Sequence, residues 1–327
     1  MPMPTLFEKG WAYYLDALTA LTQQPLNVSY RYWDRVFYDV GCIRDIEPTL
    51  FPRGIQSPFP YREGEILVVS PRGAEKKKLR YYQQTQQFLD KESQDIRAIV
   101  VAGVGSSAYG TVALARNVAD TYNFDVAGIV AGYGGLDLPT EASGGWFALG
   151  LQERIGFRYT DIVAPTADVK TLVDILLADP SQLELLVGHS KGSLLIDFAL
   201  EQFVEELQEV PDPSHYDRLI DRLNIATFGA VVSPHERFRK NVRQFMGQSD
   251  YLGWLNSHLG ITYEEVPGAG HHLNPNPSIP MSGTPVNVSE VLRSKPGAFP
   301  EKKVSPWFGA PPALSEGVRR LTEIAPG

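Results

Sequence analysis

The chain is poor in several things that would fix a functional class. It has one cysteine, Cys42, in 327 residues. That excludes an internal disulfide and any site built on paired thiolates, and it fits a reducing compartment. Histidines number six, and they are not set out as metal ligands. His235-Glu236 has no later histidine at helical spacing, and His271 and His272 are adjacent, so one helix face cannot present both. No metal site is expected. No apolar run reaches the length of a bilayer, and Met1-Pro2-Met3-Pro4 has neither the basic nor the apolar region of a secretory signal. A cytoplasmic protein without a membrane span is the expectation. Positive charge is in deficit, with 30 Lys and Arg against 38 Asp and Glu, for a net charge of −8 at pH 7. A nucleic-acid face needs clustered cations, so nucleic acid is not an expected partner. The short runs Lys76-Lys77-Lys78 and Lys302-Lys303 read as solvated surface.

What remains is the composition of an ordinary folded protein, 43% hydrophobic and 21% charged. From Arg97 onward, short apolar runs alternate with amphipathic stretches. This pattern encodes an α/β domain, a mostly parallel sheet with helices on both faces. Strands are expected at Ala98–Ala102, Val126–Ala131, Leu183–Val187, Leu223–Val232, Val242–Gly247 and Ile261–Val266. Helices are expected at Ala108–Tyr122, Val169–Leu177 and Gly192–Leu207. Residues 97–274 thus form the core domain. Residues 1–96 read as an N-terminal arm with covering loops. It has helical spacing from Leu6 to Leu21, aromatics from Tyr30 to Tyr38 that pack onto the neighbouring domain, and a proline-rich loop from Ile46 to Gly64. A short edge strand at Ile66–Val69 and a polar helical linker from Glu75 to Asp90 complete it. Residues 275–327 are a Pro/Gly-rich C-terminal tail with one helical signal, Glu316 to Ile324. Between two core strands lies a long loop, Gly132 to Asp161. Loops of this length are usually functional. Its Trp146, Phe147, Leu149 and Leu151 suggest a lid or acyl pocket, with Trp146 and Phe147 against the substrate.

The most informative stretch is Leu185-Leu186-Val187-Gly188-His189-Ser190-Lys191-Gly192-Ser193-Leu194-Leu195, where a serine between glycines joins a strand to a helix. At so sharp a turn the Ser190 hydroxyl stands clear of the backbone, and the Lys191 amide, at the start of a helix, points to the same place. Serine is a weak nucleophile near neutral pH and needs a base, oriented in turn by an acid. Asp250 follows the Val242–Gly247 strand. His271 ends the small-residue loop Gly268-Ala269-Gly270 after the next strand. The elbow G-x-S-x-G and the order Ser, Asp, His resemble the α/β-hydrolase superfamily over roughly Arg97 to Asn274. The resemblance implies the α/β-hydrolase fold, with Ser190 as nucleophile, Asp250 as orienting acid and His271 as base. It also implies an oxyanion hole made of the Lys191 amide and one from the loop Gly103-Val104-Gly105-Ser106-Ser107. Val104 is our first choice, although the His-Gly pair common in the superfamily is missing there. His189 and Lys191 are expected to line the pocket, with His189 against the substrate.

Rival assignments follow from the same residues. Glu236, after the preceding strand, is the alternative acid, and His272 the alternative base. Gly103-Val104-Gly105-Ser106-Ser107-Ala108 also fits the dinucleotide fingerprint of an NAD(P)-dependent oxidoreductase. However, the second strand ends in Ala131-Gly132-Tyr133-Gly134, without the acid that would bind a ribose. A hydrolase fold serving only as a binding module is the third reading. The leading expectation is a cofactor-free serine hydrolase that cleaves carboxylic esters, with a small-molecule, lipid or polyester ester as its partner.

Overall fold

The computed structural model describes residues 29–46, 61–74, 79–132 and 166–305. The long-loop residues Trp146, Phe147, Leu149 and Leu151, the helical signals at Leu6–Leu21 and Glu316–Ile324, and most of the proline-rich loop lie outside them.

Most of the short apolar and β-branched runs become strands. In chain order these are β1 (Ile66–Val69), β2 (Leu79–Tyr82), β3 (Ala98–Val101), β4 (Val126–Ile129) and β5 (Leu185–His189). They continue with β6 (Asn224–Phe228), β7 (Val242–Gly247), β8 (Thr262–Val266) and β9 (Glu301–Lys303). The helices are α1 (Ser29–Phe37), α2 (Thr85–Lys91), α3 (Ala108–Tyr122), α4 (Ala167–Leu177), α5 (Lys191–Leu207), α6 (Asp217–Arg222), α7 (Tyr251–Leu255) and α8 (Val288–Arg293). All nine strands form one sheet in the order β2-β1-β4-β3-β5-β6-β7-β8-β9. The six from β4 to β8 in that order are mutually parallel, while β1, β2 and β9 enter through antiparallel pairings. The chain is therefore an α/β protein with a mostly parallel sheet.

Both faces of the sheet are covered. In β3, Ile99 and Val101 join a core with Leu172 of α4 and Leu194 and Phe203 of α5. Ala98 and Val100 point the other way, into a core with Val112 and Ala115 of α3 and Val291 of α8. Alternation by two residues sends the side chains of the inner strands into two cores, so β1 and β3 read as unbroken apolar runs. Each fully buried Leu, Val or Phe contributes roughly 1.5–3 kcal/mol relative to leaving it in water. No helix among the described residues is long and apolar enough to cross a membrane.

Two parts differ from expectation. The strand Ile66–Val69 is interior, between β2 and β4. The expected linker helix is instead a strand followed by a helix. Leu79 and Tyr82 are buried, and Arg80 between them is paired with Glu92 and Asp125, which offsets the cost of a charge at a sheet edge. Polarity there reflects ion pairs, not helical solvation. Residues assigned to an arm and a tail also enter the core. Tyr38, Cys42 and Ile43 are buried beside Val100 and α3, as are Val286, Val288 and Val291, and β9 extends the sheet beyond β8.

Candidate active site

The strand β5 hands directly to α5, and Ser190 is the single residue between them. Its backbone has φ 55° and ψ −122°, a sparsely populated region costing about 1–3 kcal/mol for a residue with a side chain. The surrounding packing imposes it. A Cβ added to Gly192 would lie 2.1 Å from the Val101 carbonyl oxygen, so only glycine lets α5 start this close to β3. The Ser190 amide donates to the Phe228 carbonyl at 2.7 Å, holding the turn against β6.

Two further loops converge on the hydroxyl. Asp250 follows β7, is 1% exposed, and caps α7 by accepting from the Gly253 amide at 2.7 Å. The same oxygen, Oδ1, accepts from His271 Nδ1 at 2.7 Å. Across the ring, His271 Nε2 lies 3.0 Å from Ser190 Oγ. A carboxylate on Nδ1 fixes the tautomer that leaves Nε2 as the hydrogen-bond acceptor for the hydroxyl. Serine, histidine and aspartate thus stand in one hydrogen-bonded chain at the C-terminal ends of parallel strands, where α/β sheets gather ligands.

The rivals lie elsewhere. Glu236 is exposed, in a turn where its carbonyl accepts from the Arg239 amide. His272 is 2% exposed, its carbonyl accepts from the Val286 amide, and burial followed by the nearness of His271 lowers its pKa. Consecutive residues of an extended loop project differently, and here the first of the pair faces Ser190.

The loop after β3 forms the opposite wall. A Cβ on Gly103 would lie 2.8 Å from both the Ser190 Cβ and the His189 carbonyl oxygen. Glycine at 103 is therefore required by the elbow itself. Of the loop amides, Gly103 donates to Tyr38 Oη, Ser106 to the Gly103 carbonyl, and Ser107 to Asp34. Val104 and Gly105 remain as possible donors from this loop. The Lys191 amide is at the first position of α5, and its Nζ donates to the Ala131 carbonyl at 3.1 Å, which directs the side chain toward the end of β4.

The His189 ring is held inside the protein. It is 1% exposed, Nδ1 is 2.8 Å from Tyr38 Oη, and Nε2 is 2.9 Å from the His271 carbonyl oxygen. Both ring nitrogens are thereby engaged within the protein. Tyr38 and Asp34 were missed in the sequence. The aromatic density from Tyr30 to Tyr38 is the signal that pointed toward them, but it specifies packing without naming a target.

The dinucleotide fingerprint would place a pyrophosphate on the loop after β3. At the N-terminus of α3, where such a group would rest, the Asp34 carboxylate accepts from the Ser107 amide at 3.0 Å and its hydroxyl at 2.5 Å. An incoming polyanion would meet a buried acid. Among the described residues no cluster of His, Cys, Asp and Glu could hold a metal ion. A surface groove of about 940 Å³ is lined by Leu185, Asn224, Val242 and Thr262, the first residues of four parallel strands, so it lies at the other end of the sheet from Ser190. Compared with known proteins, the chain matches no family model, no curated sequence and no solved structure.

Proposed function

We propose that the protein is a serine hydrolase of the α/β-hydrolase kind that cleaves carboxylic esters through an acyl-enzyme. The observation that carries this reading is the unbroken chain from Asp250 Oδ1 through His271 to Ser190 Oγ, with Ser190 on a strained strand-to-helix turn. A structural serine in a tight turn has no need of an imidazole at 3.0 Å backed by a buried carboxylate.

In the proposed cycle, His271 Nε2 takes the Ser190 proton as Oγ attacks the ester carbonyl carbon. The oxyanion is held by the Lys191 amide and by that of Val104 or Gly105. Collapse of the tetrahedral adduct breaks the bond to the alcohol, which leaves with the proton from His271. Water, deprotonated by His271, then releases the acid by the same steps and restores Ser190. Asp250 orients the ring and stabilises the imidazolium formed along the way. The dinucleotide reading is disfavoured by Asp34 at the start of α3. The single buried cysteine suits a cytoplasmic enzyme.

The test is labelling by a fluorophosphonate together with hydrolysis of p-nitrophenyl esters of rising acyl length. The wild type should label once and turn over. Ser190→Ala should lose the label and about 10⁴- to 10⁶-fold in kcat. Absence of labelling and of turnover on every ester would sink the reading in favour of a binding module. An optimum at long acyl chains would tie the loop with Trp146 and Phe147 to substrate selection.

A further inference from the structure

The end of α1 reaches both sides of Ser190. On one side, the Leu273 amide donates to the Phe37 carbonyl at 2.7 Å, and Asn274 Nδ2 donates to the Arg35 carbonyl at 2.5 Å. The Phe37 ring meets His271 edge-on, with centroids 5.8 Å apart. On the other side, Tyr38 Oη receives the Gly103 amide at 2.6 Å. Between the two runs His189, in contact with Tyr38 and with the His271 carbonyl.

With His189 neutral, the direction of every bond in this relay is fixed by its ends. A backbone amide can only donate, so Tyr38 accepts from Gly103 and has its own proton to give. A carbonyl can only accept, so His189 Nε2 carries a proton and gives it to the His271 oxygen. The Tyr38 proton must then go to His189 Nδ1, which requires a neutral ring. The surroundings agree with this requirement. Burial, followed by the nearby His271, holds the His189 pKa down to about 3, and burial pushes the Tyr38 phenol above its usual range. Gly103 N–H, Tyr38 O–H and His189 Nε2–H thus point one after another toward the loop of the base.

Building on the hydrolase reading, we propose that Tyr38 and His189 are positioning residues for that reaction. They fix the backbone of His271 and the Gly103 loop in one relation to Ser190, so that base and oxyanion donors keep a single geometry. Neither touches substrate. Displacing a reacting group by about 1 Å can cost about 10²-fold in rate, which sets the scale of the effect.

The test uses the full chain, labelled with ¹⁵N-histidine, as wild type, Tyr38→Phe, His189→Gln and His189→Leu. In the wild type, His189 should be the Nε2–H tautomer and should not titrate between pH 5 and 9. Tyr38→Phe should lower kcat about 10- to 100-fold with KM within about threefold. His189→Gln can still offer an N–H to the His271 carbonyl and should keep more of kcat than His189→Leu. An active wild type whose Tyr38→Phe variant keeps full kcat, or loses only melting temperature, overturns the positioning role. So does an Nδ1–H tautomer at His189. A wild type that neither turns over nor labels overturns the hydrolase reading and this role with it, and the tautomer spectrum still decides the direction of the relay.

Discussion

Two buried histidines lie with ring centroids 5.0 Å apart beside Ser190, and they have been given opposite natures. His271 has a carboxylate at Nδ1 and a serine hydroxyl at Nε2. His189 has a phenol at Nδ1 and a backbone carbonyl at Nε2. A carboxylate stabilises an imidazolium, so the first ring can accept a proton and return it. A neutral phenol brings no negative charge to hold an imidazolium, and burial removes water as the alternative. One wall of the site is therefore built to change protonation and the other to resist it. The difference lies in what α1 and α7 bring to each ring, not in the residue type.

The largest effect should come from disturbing the wall that holds His271 against Ser190. Asp250→Asn keeps the size of the side chain but favours the wrong His271 tautomer, and should lower kcat about 10⁴-fold while the fold is retained. Glu236→Gln, in an exposed turn, should stay within a factor of two. An exchange of the two phenotypes in the ester assay would move the acid to the preceding strand.

Next in size is the contact between the two walls. Gly103→Ala places a methyl 2.8 Å from the Ser190 Cβ and the His189 carbonyl, neither of which is the end of a flexible side chain. It should cost about 1–3 kcal/mol in chemical denaturation and slow fluorophosphonate labelling more than tenfold. Wild-type stability and labelling would mean that the elbow has slack, and that the glycine answers to something else.

The third effect is on stability and not on rate, and it concerns the anchor of the resisting wall. Burial pushes the Asp34 carboxyl up to about 7, against the hydrogen bonds from Ser107. A folded-state pKa above the unfolded value means that the folded state binds more protons between the two. Stability from this group is then fully present below about pH 4 and is lost as pH rises through 7. Measured by urea unfolding, wild type should lose stability relative to Asp34→Asn across that window, on the order of a few kcal/mol. A constant difference from pH 4 to 7 would show that the carboxylate is ionised throughout, held so by the Ser107 donors and the N-terminus of α3.

The sequence alone determined the elements whose information is local. The strand before Ser190, the helix after it and the helix Ala108–Tyr122 follow from apolar periodicity, and the tight turn follows from glycines within two residues of the serine. The order of Ser190, Asp250 and His271 could be read because each follows its own strand. That these three meet was an expectation from resemblance, and the geometry brings their side chains together. Other features had no local signal. Tyr38 reaches His189 across 151 positions of sequence, and Asp34 reaches Ser107 across 73. β2 was hidden because its polarity belongs to ion pairs with Glu92 and Asp125. The choice of His271 over His272 rests on which ring reaches Ser190, and that of Val104 or Gly105 over their neighbours on which amides are already engaged. Periodicity records which face of an element is buried; which distant groups meet there is decided only when the sheet order brings them within hydrogen-bonding reach.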